Sequence, residues 1–335
     1  METQHYVGID ISKKTLDWAI FDGQKIVFCA STDNSATGIK SALSQMREIP
    51  GFISQKSIFC MEHTGIYNAH LLEVMHKLGL LIWLENSTQI KQASGMQRGK
   101  SDSVDARRIA EYAFRFRDQT RLWEPPREVI QRLSFLSAAR QRLIQAHKLL
   151  AMPLDEQESF VSATLQKQVK ATSKKSLAAL KEEQKAIDDQ IVALIRGDAR
   201  LSELFGWITS VPGVGTATAT EILISTNEMK AITSAKKMAC HAGVAPFEYR
   251  SGTSIRGKTR VSHQARKRLK SLFHLGAMSV IRRRGELQDY YQRKVAEGKN
   301  KMLVLNAVRN KIIHRIYAAV ERGEKYDENY ISKLA

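Results

Sequence analysis

The opening segment of the chain holds three strand patterns joined by connections too short for a crossover, and that constrains the fold more than any other feature. His5–Ile11 (HYVGIDI), Thr15–Phe21 (TLDWAIF) and Lys25–Ala30 (KIVFCA) each read as a strand, and Asp22-Gly23 between the last two is a hairpin turn signal. Consecutive strands on tight turns make an antiparallel meander. The period then changes. From Ser35, Ile39, Leu43 and Met46 recur at helical spacing. Ser57–Met61 reads as a strand, and an amphipathic helix through Leu71, Leu72, Val74, Met75 and Leu78 is stopped by Gly79. Leu80–Leu84 is a fifth strand, and Ser101–Phe116 a helix with Ser101 as its N-cap.

The order βββ-α-β-α-β-α is that of a ribonuclease-H-like (RuvC-like) α/β domain, a mixed sheet with helices on its faces. Pro125-Pro126 marks its end. Val129, Leu133, Leu136, Leu143 and Leu150 then recur at helical spacing until Pro153, which is expected to break the pattern. A polar stretch through Lys175 leads to a second run with Leu177, Leu180, Ile187, Ile191, Leu194 and Ile195. Two narrow apolar stripes with charged flanks describe a helical hairpin or coiled-coil arm, packed within the chain or against another copy. Ile208–Ala219 (ITSVPGVGTATA) has the pattern of a helix-hairpin-helix. Gly213 and Gly215 permit the tight turn, and N–H groups opening the second helix can meet a phosphate; the plainer reading is a helix–helix turn in a core. Past Ala245-Pro246 the chain reads as basic and mostly helical. The expected organisation is a catalytic domain over 1–125, an arm over 126–200 and a C-terminal domain over 201–335.

Charge narrows the partner. The 335 residues hold 52 Lys and Arg against 34 Asp and Glu, a net +18. The excess is uneven: 1–125 carries 15 bases and 14 acids, whereas 248–325 carries 20 and 6. A field of that size points to a polyanion unless it is only a solvated basic surface. Nucleic acid is the first candidate, and Arg250, Arg256, Lys258, Arg260, Arg266, Lys267 and Arg268 are the expected phosphate contacts. A membrane surface is disfavoured because no apolar run approaches about 18 residues and no lipidation signal is present. No signal peptide opens the chain, and Cys29, Cys60 and Cys240 lie far apart, so the expected compartment is cytoplasmic, with reduced thiols.

The near-neutral N-terminal third places acids where acids are costly. Asp10 interrupts the apolar strand Val7-Gly8-Ile9-Asp10-Ile11, where an ionised carboxylate must be paired or bind a metal. Glu62 ends another strand, and Asp102 and Asp105 share one helical face. Singly these are edge charges or helix-dipole acids. Together they are oxygen ligands suited to Mg²⁺ or Mn²⁺, and two such ions clamp a phosphodiester.

Gly8-Ile9-Asp10-Ile11-Ser12-Lys13, Glu62-His63-Thr64-Gly65 and Lys100-Ser101-Asp102-Ser103-Val104-Asp105-Ala106 resemble the three blocks of the DEDD-type insertion-sequence transposases. That family includes the Piv-type DNA invertase and the bridge-RNA-programmed recombinases. Val211-Pro212-Gly213-Val214-Gly215, His241-Ala242-Gly243-Val244-Ala245-Pro246 and Ser251-Gly252 extend the resemblance over roughly residues 5 to 320. It implies a RuvC-like metal site made by Asp10, Glu62, Asp102 and Asp105. It also implies a serine nucleophile, which by position is Ser251, with Ser254 as its neighbour and competitor. Further implications are donor and target DNA, an element-encoded guide RNA, and a dimer or tetramer in which the serine of one subunit meets the acids of another. Two rivals stand beside this: a metal-dependent nuclease or junction resolvase that uses water, and a non-catalytic nucleic-acid-binding protein.

Overall fold

The meander forms as the sequence predicts. In the computed structural model, which describes residues 5–93, 95, 102–156, 160–251, 255–261 and 265–328, strands β1 (His5–Ile11), β2 (Thr15–Phe21) and β3 (Ile26–Asp33) pair antiparallel. At the β2–β3 turn, Asp22 Oδ1 accepts from the N–H groups of Gln24 and Lys25, both at 2.8 Å, and Gly23 takes φ +98°. Helix α1 (Ala36–Arg47), capped by Ser35, leads to β4 (Ser57–Glu62), α2 (Ala69–Lys77) and β5 (Leu81–Glu85). Both β4 and β5 run parallel to β1, and the sheet order is β3-β2-β1-β4-β5. Helices α3 (Ser87–Ala93) and α4 (Asp102–Arg115) follow. This mixed five-stranded sheet with helices is consistent with a ribonuclease-H-like domain.

Strand alternation sorts the residues of the sheet into two layers. Val7, Ile9, Trp18, Phe59 and Met61 point to one side and bury Ile39, Leu43 and Met46 of α1 with Leu71 and Met75 of α2. Tyr6, Ile58, Cys60 and Trp83 point to the other and meet Ile90 of α3 with Ile109 and Tyr112 of α4. Gly8 lies on that second side, directly under α4. A Cβ there would sit 2.1 Å from the Ala106 carbonyl oxygen and 2.3 Å from the Ala110 nitrogen. Only a residue without a side chain lets the helix backbone rest on β1.

The chain divides into two compact units, Met1–Pro125 and Pro126–Ala335. The second is mostly helical: α5 (Glu128–Glu156), α6 (Ala163–Arg196), α7 (Ala199–Ser210), α8 (Thr216–Ser225), α9 (Ala235–His241), α10 (Lys267–Val280), α11 (Glu286–Ala296) and α12 (Lys301–Arg322). Between α9 and α10 runs a β-hairpin of β6 (Pro246–Ser251) and β7 (Ile255–Val261). One core gathers Ile130 and Leu133 of α5, Ile191 and Ile195 of α6, Ile208 of α7, Leu223 of α8, Phe273 of α10 and Ile312 of α12.

Three expectations are corrected here. Pro153 lies inside α5, which runs on to Glu156; so close to the helix end the missing N–H frees a single carbonyl one turn back. The polar stretch before Lys175 is helical from Ala163, because Ala, Gln and Lys are strong helix formers whatever their polarity. The segment after Pro246 opens as the β6–β7 hairpin rather than as helix; Phe247, Tyr249, Ile255, Thr259 and Val261 supply β-favouring side chains between the charges.

Candidate functional site

The layer facing α4 carries acids at the ends of four neighbouring strands. Asp10 of β1 stands opposite Asp17 of β2 in the antiparallel register. Ile9 aligns with Met61 in the parallel β1–β4 pair, so Asp10 and Glu62, one residue further on, are also neighbours. Glu62 in turn aligns with Glu85 of β5. Adjacent strands lie about 4.8 Å apart, and like charges directly opposite one another destabilise a sheet. Asp105 faces this row from α4 and accepts from Arg108 Nη1 at 2.8 Å. Glu62 is half-buried, and burial is the main cause raising its pKa; Lys91 opposes the shift and the Asp105 charge adds to it. Glu62 therefore senses the Asp105 charge.

The row is held firmly. Buried Asn68 donates to the Glu62 carbonyl at 2.9 Å and accepts from Thr64 N–H and Oγ1 at 2.7 and 2.8 Å, which fixes the Glu-His-Thr-Gly turn. The Glu85 carboxylate accepts from Asn86 N–H at 2.7 Å, Trp83 Nε1 at 3.2 Å and the Tyr112 hydroxyl at 3.3 Å. Burial first, then the Glu85 charge, pushes the Tyr112 phenol up to about 12. Asp102 opens α4, and its side chain lies outside the described residues. Among the described residues, no three His, Cys, Asp or Glu side chains are grouped closely enough to hold a metal ion. The donors are all carboxylate oxygens, which fit a hard divalent cation.

In the second unit the turn Val211–Gly215 joins α7 to α8. Gly213 takes φ +84°, and a Cβ there would meet the Gly276 carbonyl of α10 at 2.7 Å; one on Gly276 would meet the Gly213 carbonyl at 2.4 Å. The turn thus lies flat on α10. Beside it a cavity of about 410 Å³ is lined by Gly213, Gly215, Thr218, Gly276, Ser279 and Arg283. Ser251 is the last residue of β6, in register with Ile255, and Arg250 is in register with Arg256. The side chains of Arg250, Ser251, Arg256, Lys258 and Arg260, and all of Ser254, lie outside the described residues. Lys267 is exposed at the start of α10. Arg266 and Arg268 both reach the buried carboxylate of Glu221 on α8, at 2.8 and 3.1 Å, and Ser137 Oγ of α5 donates to it at 3.3 Å.

Residues 7–152 match the family model described as a DEDD-type IS110 transposase, and residues 207–292 match that of the transposase IS116/IS110/IS902 family. The pilin gene-inverting protein of Moraxella bovis is 24% identical over 328 residues, covering 96% of this chain and 98% of its own length. The IS110 insertion-element 43.6 kDa protein of Streptomyces coelicolor is 31% identical over 175 residues, covering 52% of this chain and 42% of its own. The chain belongs to the IS110-type DEDD transposase family. It is a DNA transposase or recombinase, an enzyme whose partner is DNA. No helix of this transposase, among the described residues, is long and apolar enough to cross a membrane.

Sequence reasoning overlooked Asp17 and Glu85 of the transposase's sheet. Asp17 carried a weak signal, an acid alternating with Leu16 and Trp18 on a strand as Asp10 does with Ile9 and Ile11. Glu85 follows directly on an apolar strand, as Glu62 does. Their place beside Asp10 and Glu62 is a matter of register between strands, which a linear pattern does not contain.

Proposed function

We propose that this transposase cleaves and rejoins DNA through a covalent phosphoserine intermediate on Ser251, with Asp10, Glu62, Asp102 and Asp105 holding divalent metal, Mg²⁺ or Mn²⁺. The observation that carries the reading is the register of Asp10 and Glu62 on the sheet face over which α4 lays Asp105. Mutually repelling, half-buried carboxylates lower stability in the free protein and are retained where a cation resolves them. When bound, such ions neutralise the phosphodiester and lower the pKa of an attacking hydroxyl.

The chain's own groups perform the rest. The Ser251 hydroxyl displaces one deoxyribose oxygen from phosphorus; its proton passes to the departing sugar oxygen, and one phosphodiester is exchanged for another. A free hydroxyl end of a second strand reverses the exchange and releases the serine. Hydrolysis would forfeit the ester, so a nucleophile of the protein suits rejoining without an energy source. Arg250, Arg256, Lys258 and Arg260 neutralise the phosphate near the serine, and the turn at Gly213 and Gly215, read as a helix-hairpin-helix, grips backbone with exposed Lys267 of α10. A guide RNA encoded by the element, and a dimer or tetramer that brings the serine of one copy to the acids of another, follow from the family resemblance. The organisation is a catalytic domain over 1–125, an arm over 126–200 and a serine-bearing domain over 201–335.

The test is direct. Asp10→Asn, Glu62→Gln and Asp105→Asn should abolish Mg²⁺-dependent strand cleavage with circular dichroism unchanged. Ser251→Ala should keep metal and DNA binding yet lose the adduct, and Ser254→Ala should be far milder. Mass spectrometry of nuclease-trimmed protein should find a nucleotide remnant on Ser251. A remnant on Ser254, or free ends with no adduct under trapping conditions, would refute the assignment, and free ends alone would favour a nuclease that uses water.

A further inference from the structure

The turn that follows Glu62 is fastened to both acid-bearing strands and yet shows two apolar side chains to solvent. Gly65–Asn68 form a single 3₁₀ turn, entered through Gly65 at φ +76°. At its end, buried Asn68 ties the turn to the Glu62 carbonyl at 2.9 Å. Within it, the Tyr67 carbonyl accepts from Asn34 Nδ2 at 3.0 Å, and the same nitrogen donates to the Ser12 carbonyl at 2.9 Å. The Ser12 and Tyr67 carbonyl oxygens therefore lie within about 6 Å of each other. Ser12 stands two residues past Asp10. Hydrogen bonds to the ends of β1 and β4 thus set the backbone of this turn beside Asp10 and Glu62.

Ile66 is 77% exposed and Tyr67 39%. Neither belongs to the core on either side of the sheet. Among the described residues Ile66 is the most exposed large hydrophobic of the first unit. The two side chains together show on the order of 250 Å² to solvent. Each partner in a stable protein interface contributes about 800 Å², so a second copy is a poor occupant of this tip. Nucleic-acid bases are a good one. An isoleucine enters between base steps as a wedge, and a tyrosine ring stacks on an unpaired base. Both tasks need a backbone that does not yield as the stack is pushed apart, and the bonds from Asn34 and Asn68 provide it.

We propose that Ile66 and Tyr67 form a wedge that unstacks and holds the DNA bases beside the phosphodiester addressed by the acid row. The proposal rests on the reading of Asp10, Glu62, Asp102 and Asp105 as the cleavage site and adds to it a base contact without sequence preference. Strand exchange creates the need. A cut end cannot join a second strand while its bases stay paired to the first. A wedge on the turn after Glu62 opens those pairs where the cut is made.

The experiment uses the full chain, the element's own transcript and a duplex that spans the element's end and its flank, and it follows Mg²⁺-dependent cleavage. The variant I66S/Y67S should cut the paired duplex about 10- to 100-fold more slowly than the wild type, with an unchanged melting temperature. Mismatched bases are the easiest to unstack. On the same duplex with two mismatched pairs beside the cut, the variant should therefore cleave as fast as the wild type. The conservative variant I66L/Y67F should keep the wild-type rate on both. A wild type that cleaves neither duplex overturns the acid-site reading and the wedge with it. A wild type that cleaves, with I66S/Y67S equally slow on paired and mismatched DNA, assigns the two side chains to shaping the Glu62 turn and overturns the wedge alone. Full activity of I66S/Y67S on paired DNA also overturns it, and an altered oligomeric state in that variant would assign the tip to a second copy.

Discussion

Gly8 has no room for one more carbon. Since a Cβ would lie 2.1 Å from a backbone oxygen of α4, Gly8→Ala must push the helix off the sheet, at about 1–3 kcal/mol or more. Chemical denaturation should show the drop, and calorimetry should show weaker Mn²⁺ binding, because Asp105 rides on the displaced helix. Tyr112→Phe is the gentler version: it removes one of the three donors to Glu85 and should cost about 1 kcal/mol by the same denaturation measurement. His241 gives a pH signature. Burial first, then Arg266, holds its pKa below the ordinary 6.5, and among the described residues its Nε2 is buried with no partner. A depressed folded-state value means the contribution to stability is complete above the unfolded pKa and is lost as pH falls through about 6.5 and below. His241→Gln should flatten the dependence of melting temperature on pH in that range, and an unchanged profile would assign the acid loss elsewhere.

At the scale of elements, the buried Glu221 carboxylate joins α8 to the start of α10 and to α5. It is 2% exposed and faces two guanidinium groups. Glu221→Ala leaves those cations uncompensated and should cost about 3–5 kcal/mol in urea denaturation. Arg266→Ala should cost much less, since Arg266 is 42% exposed and its pair is screened by solvent. The same elements mark what a sequence discloses. Asp10 and Glu62 were legible because an acid at the end of or within an apolar strand violates a strong local rule. The three-strand meander was legible because its turn, Asp22-Gly23, is local too. Asp17 and Glu85 were not, because their significance lies in which strand pairs with which. Nor was the β6–β7 hairpin, whose basic side chains mask its alternation, or the entry of Arg266 and Arg268 into a pocket with Glu221, which joins residues far apart in the chain.

For the whole molecule, the charge of +14 over residues 248–325 overstates what a partner meets. Arg266 and Arg268 are paired to Glu221, which lies outside the segment, and Arg309 is 6% exposed beside His274. The segment also contains α10 and all of α12, which build the second core, so deleting it would unfold that unit rather than unload it. Substitution is the sound test. Arg282, Arg283 and Arg284 are exposed, and Arg283 lines the cavity beside Gly213. Changing all three to Gln should make the salt slope of DNA binding shallower by about 0.9 for each phosphate they neutralise, with the urea midpoint unchanged. A fixed slope would exclude that corner from the DNA path.

The seating of the α7–α8 turn on α10 has a consequence for heredity. Gly213 and Gly276 each forbid a side chain on the other's account: a Cβ on either meets the other's carbonyl oxygen. An alanine at one position forces the two backbones apart, and the gap so opened relieves the constraint at the other. At Gly276 the second substitution is then far cheaper than the first, whereas at Gly213 the φ of +84° strains any side chain whatever the gap, so the two codons are epistatic in one order. A screen for revertants of Gly213→Ala should not recover changes at Gly276 as compensation, because none restores the close approach. A lineage that had already given up Gly213 would be free to give up Gly276.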